Sequence, residues 1–101
     1  MAEYEKFEKD GQVAVLYSPG YGSGWYTWNK QYPGLLFDKE IVEAVLNNDY
    51  NLVKEIARQK YPDGFFDGAD TLKVKWLSKN TKFIVEEYDG SESILTEFIV
   101  A

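Results

Sequence analysis

The functional groups this chain offers to chemistry are mainly carboxylates: it has 17 Asp+Glu against 11 Lys+Arg, and neither His nor Cys. Without imidazole or thiol, the Ser-His and Cys-His nucleophile pairs and the usual zinc-ligand sets are absent. Glu86, Glu87, Asp89 and Glu92 cluster late in the chain. Paired carboxylates can hydrolyse glycosides when they face each other across a cleft. Glu86 and Glu87, however, are neighbours on a stretch that reads as a strand, so they point to opposite faces. The cluster reads instead as a solvated sheet edge whose like charges discourage edge-to-edge pairing. Asp63, Asp67 and Asp70, with Gly64 and Gly68, suggest a calcium loop but lack the acid spacing and closing Glu of an EF-hand. Ser18 and Ser23 have no base to activate them, and nothing in the pattern buries Lys30 to depress its pKa. We therefore assign no catalytic residue, no metal ligand and no cofactor, and expect a protein that is not an enzyme.

A second chemistry, recognition, has a clearer address. From Gly11 to Phe37 there is no acid and one charge, Lys30, while seven aromatics fall in the same segment. Uncharged, glycine-rich and aromatic is the chemistry of a contact surface, because Trp and Tyr supply large area at low entropic cost and keep a polar handle. Within it, Ser18-Pro19-Gly20-Tyr21-Gly22-Ser23-Gly24 follows a strand. Its glycines would let backbone N–H groups turn toward an anion. The spacing fits neither a P-loop nor a dinucleotide fingerprint. Two readings stand side by side: a ligand or partner site, or a tight turn that folds Tyr21, Trp25 and Trp28 back onto the sheet. The binding residues are Gly20, Tyr21, Gly22, Ser23, Gly24, Trp25 and Trp28, with Lys30 and the only arginine, Arg58, available to an anion. On this reading Trp25→Ala or Trp28→Ala removes function with less damage to folding than Trp76→Ala.

These residues must be held by a fold. Gln12 to Ser18 reads as a strand with apolar residues on both faces. Asp38 can cap a helix over Lys39 to Asn47 or Asn48, with Ile41, Val42, Val45 and Leu46 at helical spacing. Asn48 and Asp49 then serve as turn and cap for a second helix, carrying Leu52, Val53, Ile56 and Ala57 up to Lys60, which Pro62 ends. The last third alternates as strands over Leu72 to Trp76, Lys82 to Tyr88 and Ser93 to Val100, with Asp89-Gly90 as a hairpin turn that Ser91 and Glu92 can lengthen. The expected architecture is a single α+β domain over residues 1–101: one mainly antiparallel sheet of about four strands, with two short helices on one face.

Charge and composition bound the partners. A net charge of −6 and a pI near 4.6 disfavour contact with nucleic-acid backbones. No stretch is apolar for the length of a membrane span, no cysteine is available for disulfides, and Met1 to Asp10 has no signal-peptide pattern. A cytoplasmic protein whose partner is a host protein or a small molecule is expected. A strand ending in Phe98, Ile99 and Val100, if left uncovered, would pair with a second copy to give a homo-oligomer.

The segment Ser18-Pro19-Gly20-Tyr21-Gly22-Ser23-Gly24-Trp25-Tyr26-Thr27-Trp28-Asn29 resembles a family of small accessory proteins of the bacteriophage type. Phe37 to Val42, Trp76-Leu77 and Glu87 to Ser93 add to the likeness. The resemblance implies action in the host bacterial cytoplasm, with counter-defence roles such as binding a host defence protein or sequestering a signalling nucleotide. It attaches no activity to any residue. The alternative is an acidic inhibitor that occupies a basic surface of a host protein, steered there by its net charge.

Overall fold

The computed structural model describes residues 4–20 and 24–96. Among the described residues the elements run in the order β1 (Glu8–Lys9), β2 (Gln12–Tyr17), a 3-10 turn (Tyr26–Trp28), α1 (Gly34–Phe37), α2 (Lys39–Leu46), α3 (Tyr50–Lys60), a second 3-10 turn (Asp67–Thr71), β3 (Lys73–Ser78), β4 (Ile84–Tyr88) and β5 (Ser91–Leu95).

The helices begin and end where side chains satisfy their loose backbone groups. Asp38 caps α2 by accepting from the Glu40 N–H at 3.0 Å, and Asp49 caps α3 by accepting from Leu52 at 3.2 Å. Asn48, at φ 56°, takes the left-handed conformation that ends the first of these helices. Ile41, Val42, Ala44 and Val45 of α2 and Val53 and Ala57 of α3 are buried, as the helical spacing requires.

The α+β class stands, but the sheet is not a single one. β2 is the centre of a three-stranded antiparallel sheet in the order β1-β2-β3, with Gln12 opposite Ser78 and Tyr17 opposite Lys73. β4 and β5 form a separate two-stranded antiparallel sheet. The separation begins after Ser78, where Asn80 turns the chain at φ 68° and the Lys79 N–H bonds back to the Gly11 carbonyl at 2.9 Å. Phe83 then packs edge-on against Phe37, 6.1 Å between centroids, which carries the hairpin across the sheet instead of along its edge. Both hairpins turn on Asp-Gly, Asp10-Gly11 and Asp89-Gly90, with all four residues at positive φ, as a two-residue turn of the primed type demands. Tyr88 pairs directly with Ser91, so Ser91 and Glu92 lie in the strand and do not lengthen the loop.

The result is three layers. Ala14 and Leu16, with Val74 and Trp76 beside them, face α2 and α3 in one apolar cluster. Val13, Val15, Tyr17 and Leu77 face Leu36 and Phe37 of α1 and Val85 and Ile94 of the hairpin in another. β2 is apolar on both faces because both are covered. Truncating one of its fully buried side chains, Leu16→Ala, is expected to cost about 2–5 kcal/mol.

Candidate functional site

The turn between β2 and α1 has an inner and an outer side. On the inner side the backbone donors converge on an anion, and that anion belongs to the chain. Glu92 projects from β5 under the turn and is 1 % exposed. Its Oε1 accepts from the Ser18 N–H at 2.9 Å. Its Oε2 accepts from the N–H groups of Trp25 at 2.9 Å and Thr27 at 2.8 Å, and from Thr27 Oγ1 at 2.7 Å. Among the described residues no cation pairs with it. The Glu92 N–H donates to the Ser18 carbonyl at 2.7 Å, and Ser91 Oγ to the Pro19 carbonyl at 2.7 Å, so β5 is tied to the turn at two consecutive residues. The donors thus aim inward at a side chain already in place, and Glu92 is not part of a solvated edge.

Trp25 goes with this inner side. It is fully buried, its indole N–H donates to the Leu35 carbonyl at 2.7 Å, and its ring lies 5.6 Å from that of Phe66. It is a core residue with no face to offer a ligand, which corrects its place among the expected binding residues. Gly24 is buried as well, and a Cβ there would collide with the Trp28 ring at 2.7 Å. A Cβ on Gly68 would meet the Gly24 carbonyl, so these two glycines serve close backbone approach.

Trp28, three residues on, faces out. It is 41 % exposed and lies at 5.3 Å and 36° against Phe65, itself 45 % exposed. Asn29 fixes the pair: its Nδ2 donates to the carbonyls of Trp25 and Phe65, each at 2.7 Å, and its Oδ1 accepts from the Phe65 N–H at 2.7 Å. Buried and fully used, Asn29 locks the Trp28 turn to the loop after α3. Phe65 in turn walls a cleft of about 420 Å³ whose other sides include Lys54, Arg58, Pro62 and Asp67. Lys54 pairs with Asp70 at 3.1 Å, while Arg58 is exposed and in no ion pair among the described residues.

Of the expected binding residues, Trp28 and Arg58 are therefore connected through Phe65. Lys30 is exposed but does not line this cleft, and Gly20 sits beside Thr71, in a depression with Tyr50 and Lys73. Tyr21, Gly22 and Ser23 lie outside the described residues, as do Phe98, Ile99 and Val100. Sequence reasoning missed Phe65; the signal for it is a pair of large apolar residues, Phe65-Phe66, between turn formers, of which one is buried and one is left out.

A third polar cluster surrounds Asp38, which is fully buried at the junction of α1 and α2. Besides capping α2, it accepts from Tyr61 Oη at 2.9 Å and Lys60 Nζ at 3.1 Å, and Lys60 also reaches Glu40 at 2.8 Å. Burial lowers the proton affinity of Lys60, but the Glu40 and Asp38 carboxylates outweigh it and hold the ammonium above the ordinary lysine value. Burial first, and then the bond to Asp38, push the Tyr61 phenol well above the ordinary tyrosine value. Both shifts keep the proton on, the reverse of what a neutral-pH nucleophile or base needs. A cleft of about 470 Å³ opens beside this cluster, with Tyr4, Glu5 and Glu43 on its walls.

Among the described residues no group of three or more acids gathers as metal ligands do, and no helix is long and apolar enough to cross a membrane. Set against protein-family models, curated proteins and solved structures, the chain matches none.

Proposed function

We propose that this is a non-catalytic binding protein that acts stoichiometrically through the Trp28–Phe65 face. Its ligand is a planar, anionic small molecule of the nucleotide type. The observation that carries this reading is the exposed aromatic pair held rigid by Asn29 beside Arg58, which is exposed and in no ion pair among the described residues. A flat π-system gains by stacking on fixed indole and phenyl surfaces, and an adjacent guanidinium supplies bidentate contact to phosphate. The bacteriophage likeness supports a role as an accessory or counter-defence factor in the host cytoplasm.

The test is isothermal titration with AMP and with ATP, alongside the Trp28→Ala and Arg58→Ala variants. Each variant is expected to weaken binding by roughly tenfold or more, the loss of one good contact, while its unfolding stays close to the parent's. Absence of binding by both nucleotides, or equal affinity in parent and variants, would overturn the proposal.

A second reading, an acidic surface that occupies a basic patch on a host protein, is supported by the outward side of the β4–β5 hairpin. There Ile84 is 45 % and Tyr88 73 % exposed around Glu86.

A further inference from the structure

The edges of the two sheets are guarded unequally. β1, one edge of the larger sheet, is two residues long, and β3, the other, carries Lys73, Lys75 and, just past its end, Lys79. Short length and lysines are the ordinary ways in which a strand edge is kept from pairing. β5 is engaged on its outer side at Glu92, whose N–H meets the Ser18 carbonyl. β4 has neither device: over Ile84–Tyr88 it has five residues with no lysine, proline or bulge.

Its backbone geometry follows from the turn. A two-residue Asp-Gly turn makes Tyr88 and Ser91 the hydrogen-bonded pair next to it. By alternation Glu86 and Ile84 also bond toward β5, which leaves the N–H and C=O of Val85 and Glu87 pointing away from it. Among the described residues no backbone bond outside the hairpin reaches either of them. The side chains along this edge are Ile84, Glu86 and Tyr88 on the outer face, with Asp89 at the turn, all exposed.

We propose that the β4 edge is a strand-addition site for an extended segment of a partner protein that carries Lys or Arg at alternate positions. This rests on the second reading above and not on the aromatic face. Main-chain bonds to Val85 and Glu87 supply affinity, and the alternate side chains of the incoming strand supply selectivity. A basic residue opposite Glu86 is favoured, and its i±2 neighbours on the same face, also basic, lay their aliphatic stems beside Ile84 and Tyr88, while the β-branched residues between them face the other side with Val85. The same acids argue against a second copy of this chain as occupant. Antiparallel self-pairing would set Glu86 and Glu87 against their own kind, in a protein of net charge −6.

The full protein, labelled with ¹⁵N, is titrated with a capped peptide of about seven residues alternating valine and lysine, and with its valine-glutamate twin, while amide hydrogen exchange is read residue by residue. The lysine peptide is expected to slow exchange at Val85 and Glu87 by about tenfold or more, the glutamate peptide to leave both unchanged, and Glu86→Lys to reverse the preference. Four results would overturn the proposal: no slowing with the lysine peptide; equal slowing by the two peptides; salt-sensitive binding that leaves both amides exchanging freely; or both amides already protected in a protein that sediments as a dimer. AMP titration of Glu86→Lys separates the two surfaces, since the aromatic face is expected to be unaffected by it.

Discussion

Glu92 and Asp38 are both buried carboxylates, and the protein neutralises them in different ways. Asp38 is met by one amide, a phenol and an ammonium, with Lys60 partly in solvent and also held by Glu40. Glu92 is met by three amides and a hydroxyl, all neutral. A side-chain partner can move or be lost while water fills in at the cleft beside it. Backbone donors cannot leave without the turn coming apart. The comparison teaches that the tolerance of a buried charge depends on what its partners are attached to as much as on how many there are.

The largest effect is expected where the partners are fixed. Glu92→Ala orphans three amides, those of Ser18 and Trp25 buried and that of Thr27 partly so, and should cost about 3–9 kcal/mol at about 1–3 per unsatisfied group, read as a fall in the urea midpoint. A loss below about 1 kcal/mol would mean that water fills the cradle, and would remove the distinction from Asp38. Glu92→Gln should fall between, because its amide nitrogen presents hydrogens to donors. Next comes Trp25→Ala, expected to cost about 3–5 kcal/mol because the turn is built around that ring. Asp38→Asn keeps the cap and should cost about 1–3 kcal/mol, with Lys60 retained by Glu40.

Alkaline pH sharpens the same contrast. Lys60 and Tyr61 hold their protons to higher pH folded than unfolded, where their ordinary values are 10.5 and 10.0. Their contribution is therefore intact below about pH 10 and is lost as pH rises past it toward the raised folded values. The difference in unfolding free energy between the parent and Tyr61→Phe should shrink from about pH 9 to about pH 11, while that between the parent and Glu92→Gln stays level. A difference that grows with pH would contradict the assignment. The smallest effect is expected of Trp28→Ala, under about 1 kcal/mol, since that ring is held against Phe65 at the surface.

Local features of the fold were legible in the sequence, and long-range ones were not. Asp38 and Asp49 were readable as caps because capping is decided within a few residues, and the two-faced apolar pattern of β2 correctly announced cover on both sides. The Asp10-Gly11 hairpin uses the same dipeptide as Asp89-Gly90, but its first strand is two residues long and leaves no alternation to read. The second sheet was hidden because Asn80 is an ordinary turn former until one knows where the chain goes next. The separation of Trp25 from Trp28 was likewise hidden: both are tryptophans in one glycine-rich stretch, and only the arrival of Glu92 beneath decides which side is inside. The expectation that losing Trp25 would harm the fold less than losing Trp76 is reversed, since Trp25 is wholly enclosed and Trp76 is half-buried at the sheet beside Phe7.

The tie between Ser18 and Glu92 joins positions 74 residues apart. A ribosome delivers the glycine-rich turn first and its carboxylate much later, so during synthesis the turn has donors and no acceptor. Until β5 emerges, those amides are left to water. The cradle around Glu92 is therefore closed only by the last of the described strands to be made, and a chain ending short of β5 leaves its three amides without their acceptor.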